Sequence, residues 1–140
     1  MSLKPKKNKK YKIKKNRLNS LNFNSKILVN GIYGLKALDY ARLTSKQIET
    51  AYLALNHILK KRGTVYINIF PDIPITSKSI ASRMGKGKGD IKNWVCPIRP
   101  GKILFEIGDF YDEKEINYAL FCCASKLPIK TKKIQYCKFK

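Results

Sequence analysis

Residues 44–70, TSKQIETAYLALNHILKKRGTVYINIF, decide the fold class, because one hydrophobic period gives way to another within them. Ile48, Ala51, Tyr52, Leu55 and Leu59 recur at helical spacing and form one apolar stripe. Thr44 and Gln47 have capping-box spacing, so the helix carries its own start signal. The pattern predicts a helix over residues 42–63, with Gly63 suited to the position after the last turn. From Thr64 to Phe70 the period drops to two, and β-branched and aromatic residues there predict a strand. Residues 71–74, Pro-Asp-Ile-Pro, stop it.

Further along, residues 91–96 and 102–107 read as strands joined in a hairpin through residues 97–101. Asp112 and Glu115 open a second helix that runs to Lys126. Ile116, Ala119, Leu120, Cys123 and Leu127 face one way along it. Pro128 ends that helix, and residues 129–137 predict a basic final strand. The sum is an α+β fold: an antiparallel or mixed sheet with two helices packed on one face. The 140 residues divide into a basic, extended N-terminal arm (1–20) and a single domain (21–140).

Charge narrows the function. Thirty basic residues against nine acidic ones give a net charge of +21, which favours a polyanionic partner. The arm contains Lys4, Lys6, Lys7, Lys9, Lys10, Lys12, Lys14, Lys15 and Arg17 and no acid. It offers too little apolar surface to order alone, which suits a segment that orders on RNA phosphates. No apolar run is long enough for a membrane span, and the basic N-terminus lacks the apolar core of a secretory signal.

The most distinctive stretch is Arg83-Met84-Gly85-Lys86-Gly87-Lys88-Gly89. Its glycines free the backbone for positive φ and close approach, while Arg83, Lys86 and Lys88 supply charge. It matches neither the Walker A pattern nor the dinucleotide fingerprint, and no helix follows to present its N-terminus. Catalytic groups are absent from the reading. His57 has no nucleophile beside it in sequence and reads as a surface residue, and Asp109, Asp112, Glu113 and Glu115 read as partners of a helix dipole. Trp94 reads as core packing rather than base stacking. Cys96, Cys122, Cys123 and Cys137 form no CxxC pair, so no metal and no cofactor are expected.

The order of segments resembles the bacterial-type ribosomal protein L-sixteen family of the large subunit, over about residues 31–132. The matching pieces are residues 31–37 (GIYGLKA), 43–49 (LTSKQIE), 69–72 (IFPD) with 74–76 (PIT), 83–89, 94–95, 100–106 (PGKILFE) and 126–131 (KLPIKT). The resemblance implies a non-enzymatic protein that binds large-subunit rRNA and helps to shape the aminoacyl-tRNA site. The 83–89 loop would then reach towards tRNA and the peptidyl-transferase region. Along with the arm, Lys36, Arg42, Lys46, Lys60, Lys61, Arg62, Lys78, Lys130 and Lys132 become the candidate rRNA contacts.

The chain also departs from the family. Tyr52, Leu53, His57 and Asn68 stand where relatives usually carry arginines, so Tyr52, Leu53 and His57 are expected to meet a neighbouring ribosomal protein. Lysines outnumber arginines 25 to 5, a bias that suits an AT-rich organellar genome. A mitochondrial ribosome and an organelle-borne gene are therefore expected, with no membrane partner and no homo-oligomer. The competing readings are a stand-alone nucleic-acid-binding module and a phosphate-handling enzyme.

Overall fold

The strands divide between two antiparallel sheets. The computed structural model describes residues 3–5, 12–14, 27–60, 62–108 and 112–136. Strands β1 (Tyr33–Ala37) and β2 (Ala41–Thr44) precede helix α1 (Ser45–Ile58), and β3 (Thr64–Ile67), β4 (Ile73–Ser77), β5 (Asp90–Ile98) and β6 (Ile103–Gly108) follow it. Helix α2 (Glu113–Ser125) and strand β7 (Thr131–Gln135) complete the order. One sheet runs β3-β6-β1-β7 and the other β2-β5-β4.

The architecture is the expected α+β fold, and both helices keep their predicted caps. Thr44 Oγ1 accepts from the Gln47 amide, and Gln47 Oε1 accepts in return from the Thr44 amide at 2.9 Å. Such a cap contributes about 1 kcal/mol. Asp112 Oδ1 accepts from the amides of Lys114 and Glu115 in the same way. Ile48, Ala51, Leu55 and Leu59 on one side, and Ile116, Ala119, Leu120 and Cys123 on the other, close a shared core with Phe105, Leu104 and Ile107. Trp94 is buried, as core packing requires.

Several local expectations are corrected. Residues 91–96 and 102–107 do not pair as a hairpin: β5 pairs with β2 and β4, while β6 pairs with β1 and β3. The connection through Gly101, at φ +93°, carries the chain from one sheet to the other. The first helix starts at Ser45, because Arg42 lies in β2 opposite Pro97. It ends before Lys60, whose φ of +47° takes the left-handed position expected of Gly63. Pro74 does not merely stop a strand but sits within β4, at a sheet edge where a missing N–H is tolerated.

β6 is the hub. All six of its residues are buried, and it lies between β3 and β1. Glu106 in its middle is the one buried charged side chain among the described residues, 1% exposed. Its Oε2 accepts from three consecutive amides, Val29 at 3.1 Å, Asn30 at 2.7 Å and Gly31 at 2.9 Å. Its Oε1 accepts from the Asn68 side-chain amide just beyond β3. Gly31 makes this approach possible, since a Cβ there would lie 2.7 Å from the Ile107 carbonyl oxygen and 2.9 Å from Glu106 Cβ.

Replacing Glu106 with alanine strands those donors against a buried strand. The expected cost is about 3 kcal/mol or more, read as a lower urea midpoint at unchanged slope. Glu106→Gln keeps an acceptor oxygen and is expected to lose less. An unchanged midpoint for Glu106→Ala contradicts this role.

Candidate nucleic-acid interface

The candidate contact loop is the long turn of a hairpin. β4 and β5 pair down to Ser77 opposite Asp90, and residues 78–89 span the gap between them. Gly89 closes the neck, where a Cβ would lie 2.5 Å from the Ser77 carbonyl oxygen. Towards the tip, three successive residues have positive φ: Gly85 (+91°), Lys86 (+54°) and Gly87 (+76°). Added Cβ atoms at Gly85 and Gly87 would meet nothing within 4 Å, so those glycines serve conformation and Gly89 serves space.

Every residue from Ser77 to Lys88 is exposed. Ile80 and Met84 are as bare as isolated side chains, which leaves two apolar groups in solvent beside the cations. The four cations of the loop do different things. Lys78 Nζ donates to the Gly85 carbonyl at 2.5 Å and stiffens the turn. Lys88 Nζ donates to the Ile13 carbonyl at 2.6 Å, while Lys12 Nζ donates back to the Lys88 carbonyl at 2.8 Å and lies 3.6 Å from Asp90 Oδ1. Arg83 and Lys86 have no hydrogen-bonding or ionic partner among the described residues.

The arm therefore touches the body at two places, which its composition alone gave no sign of. Lys12 meets the loop, and the Leu3 amide donates to Glu49 Oε1 at 3.1 Å while its side chain packs on the core. Lys4 and Lys46 line a cleft of about 570 Å³ with Thr44, Ser45, Glu49, Asn93 and Trp94 at the start of α1. Lys14 is exposed; Lys6, Lys7, Lys9, Lys10, Lys15, Arg17 and Lys61 lie outside the described residues.

A second cationic spot lies on the sheet. Lys36 on β1 stands directly opposite Lys132 on the edge strand β7. Like charges in such cross-strand register repel, which is unfavourable unless an anion lies between them. Lys130 stands beside this pair, its amide donating to Asp39 Oδ2 at 3.2 Å. Lys60 and Arg62, both exposed, lie past the far end of α1, about 20 Å from Lys46 at 1.5 Å per helical residue. Arg42 is half-buried on β2. Among the described residues the candidate cations thus form separate patches and no single stripe.

The expected protein-facing trio is split. Leu53 and His57 share an exposed side of α1, but Tyr52 is half-buried and lines a cleft with Leu3, Val65, Tyr66, Asn68 and Phe70. Asn68 donates its side-chain amide to Glu106. The roles of Lys12, Asp90 and Glu106 went unread in the sequence, although a lone glutamate inside Ile103-Leu104-Phe105-Glu106-Ile107 is itself a signal of a buried acceptor.

Two thiols, Cys96 and Cys123, are inert by burial. Desolvation pushes the Cys96 thiol up against the opposing pull of Lys102, and burial with the neighbouring Cys122 pushes Cys123 up to about 12. Neither presents a thiolate at neutral pH. Among the described residues no three His, Cys, Asp or Glu side chains gather as a metal cluster, and no helix is long and apolar enough to cross a membrane. Cys137 lies outside the described residues.

Residues 3–134 match the family described as ribosomal protein L16p/L10e. Large ribosomal subunit protein uL16 of Kosmotoga olearia is 55% identical over 102 residues, 73% of this chain and 72% of its own. The protein of that name from Wigglesworthia glossinidia brevipalpis is 47% identical over 129 residues, 92% of this chain and 93% of its own. In Hyphomonas neptunium the identity is 44% over 133 residues, 95% of this chain and 96% of its own. With the match running through the arm, the loop and both sheets, the chain belongs to the ribosomal protein L16p/L10e family.

Proposed function

We propose that the chain is a structural constituent of the large ribosomal subunit, not an enzyme. It binds large-subunit rRNA and helps to shape the aminoacyl-tRNA site, with its glycine loop aimed at tRNA and the peptidyl-transferase region. The observation that carries this reading is the β4–β5 loop, which holds Arg83 and Lys86 in solvent without a partner among the described residues. Cations held clear of their own protein are available to phosphates, and they fix register without reading base sequence. The Lys36–Lys132 pair supports a second phosphate contact at the β1–β7 edge. Leu53 and His57 face a neighbouring protein of the subunit.

The ribosome is a mitochondrial one and the gene organelle-borne; the support is the excess of 25 lysines over five arginines. Lysine keeps charge but forgoes the bidentate fork of arginine, so the arm contributes affinity more than specificity. Fractionation tests this directly. The chain is expected to co-sediment in moderate salt with large subunits from purified mitochondria. Recovery with another compartment's ribosomes overturns the location, and recovery as free protein overturns the ribosomal role.

The loop's division of labour has its own readout. Removing Arg83 and Lys86 together (Arg83→Ala with Lys86→Ala) is expected to shrink the log–log salt slope of rRNA binding by about one unit per cation. An unchanged slope means that neither touches a phosphate.

The glycines separate in a different assay. Gly89→Ala is expected to speed amide hydrogen exchange across the hairpin neck, residues 74–93. Gly85→Ala, which meets open space, is expected to leave the neck unchanged and to strain the tip by roughly 1 kcal/mol. Equal neck exchange in both variants rules out the spatial role of Gly89.

A further inference from the structure

The turn between the two sheets sets an exposed aromatic ring among cations. Leu38, Asp39 and Tyr40 carry the chain from β1 in one sheet to β2 in the other, and Leu38 and Tyr40 are 45% and 44% exposed. Hydrogen bonds brace this turn on both sides. The Leu38 amide donates to the Lys130 carbonyl at 2.9 Å, and the Lys130 amide donates to Asp39 Oδ2 at 3.2 Å. Across β1, the Ala37 amide donates to the Lys102 carbonyl and the Gly101 amide to the Ala37 carbonyl, both at 2.9 Å. Tyr40 thus follows a fixed backbone, and its hydroxyl has no partner among the described residues.

The charge around the turn is of one sign. Residues 36–42, 99–102 and 130–132 hold six basic residues and one acid, Asp39, whose carboxylate is bonded to the Lys130 amide. The rung that joins Leu38 to Lys130 follows the Lys36–Lys132 rung two residues on, so those lysines share its sheet face. The β2–β5 register pairs Ala41 with Ile98, which brings the exposed Arg99 to the Tyr40 end of β2. Asp72 precedes β4, on the far side of β5 from this turn.

A phosphate alone would neutralise the lysines and leave the phenol ring and the leucine in water. The flat face of an unpaired base covers such a ring, while the phosphates before and after that base reach the cations. A base inside a duplex has no free face to offer. We infer that Tyr40 is a stacking platform for one unpaired base of the large-subunit rRNA, with flanking phosphates on Lys130, Lys132 and Arg99. The inference rests on the reading of the β1–β7 edge as an rRNA contact and deepens it. It gives that edge a selectivity for single-stranded or bulged RNA, which lysines do not supply by themselves.

Ultraviolet irradiation of large subunits that contain the full chain tests it, because a stacked ring and base cross-link at contact distance. After ribonuclease and protease digestion, the peptide containing Tyr40 is expected to carry a nucleotide on the ring. Tyr40→Phe is expected to keep the adduct and Tyr40→Leu to lose it. With the purified full chain and large-subunit rRNA, Tyr40→Leu is expected to weaken binding about fivefold or more at an unchanged log–log salt slope. Tyr40→Phe is expected to bind like the parent, and Lys36→Ala with Lys132→Ala to shrink the slope by about one unit per cation. No adduct, an adduct to a protein, or a loss of affinity shared by Tyr40→Phe overturns the stacking site and leaves the edge contact standing. An unchanged slope in the double lysine variant overturns the edge contact itself.

Discussion

The carboxylate of Glu106 is the constraint on which the rest of this molecule depends. It lies in the middle of the fully buried strand β6 and gathers the amides of Val29, Asn30 and Gly31 on one oxygen. Its other oxygen holds Asn68, so one side chain joins the segment before β1, the central strand and the segment after β3. A buried anion is tolerable only when such donors replace its water. The arrangement sets two further requirements. Residue 31 must lack a Cβ, and residue 68 must present a donor, which explains an asparagine in a region where an arginine contact was expected.

With the four-stranded sheet tied together in this way, the chain can place most of its cations on the outside. The core is apolar apart from Glu106 among the described residues, and the positive charge is distributed over the arm, the β4–β5 loop, the β1–β7 edge and the ends of α1. Self-repulsion of that charge disfavours the isolated protein and is relieved by a polyanion. Within the loop the cations are sorted: Lys78 and Lys88 brace the backbone, while Arg83 and Lys86 have no partner among the described residues. The arm takes part in the bracing through Lys12, which bonds the loop backbone at Lys88.

Both helices were legible in the sequence, because capping residues and apolar periodicity are local signals. The glycine loop was legible as well, since no core could use it. What remained hidden was the pairing of strands. β1 and β2 are short and β4 contains Pro74, so none carries a clear period of two. The proximity of residues 91–96 and 102–107 suggested a hairpin, yet Gly101 sends the chain across to another sheet, a choice made by long-range packing. Gly63 was given a role that Lys60 performs, because a left-handed residue is fixed by where the helix stops and not by which residue tolerates it best. At the interface, charge could be counted from the sequence, but only coordinates separate the lysines that bond their own backbone from those that do not.

The central claim is that Arg83 and Lys86, without a partner among the described residues, meet RNA. A density map of the large subunit containing this chain and an aminoacyl-site tRNA tests it most directly. The account requires phosphate oxygens of rRNA or tRNA within about 3 Å of both side chains, with Glu106 still joined to residues 29–31. A map in which the loop tip faces solvent or protein, with no phosphate in reach of either cation, would contradict it.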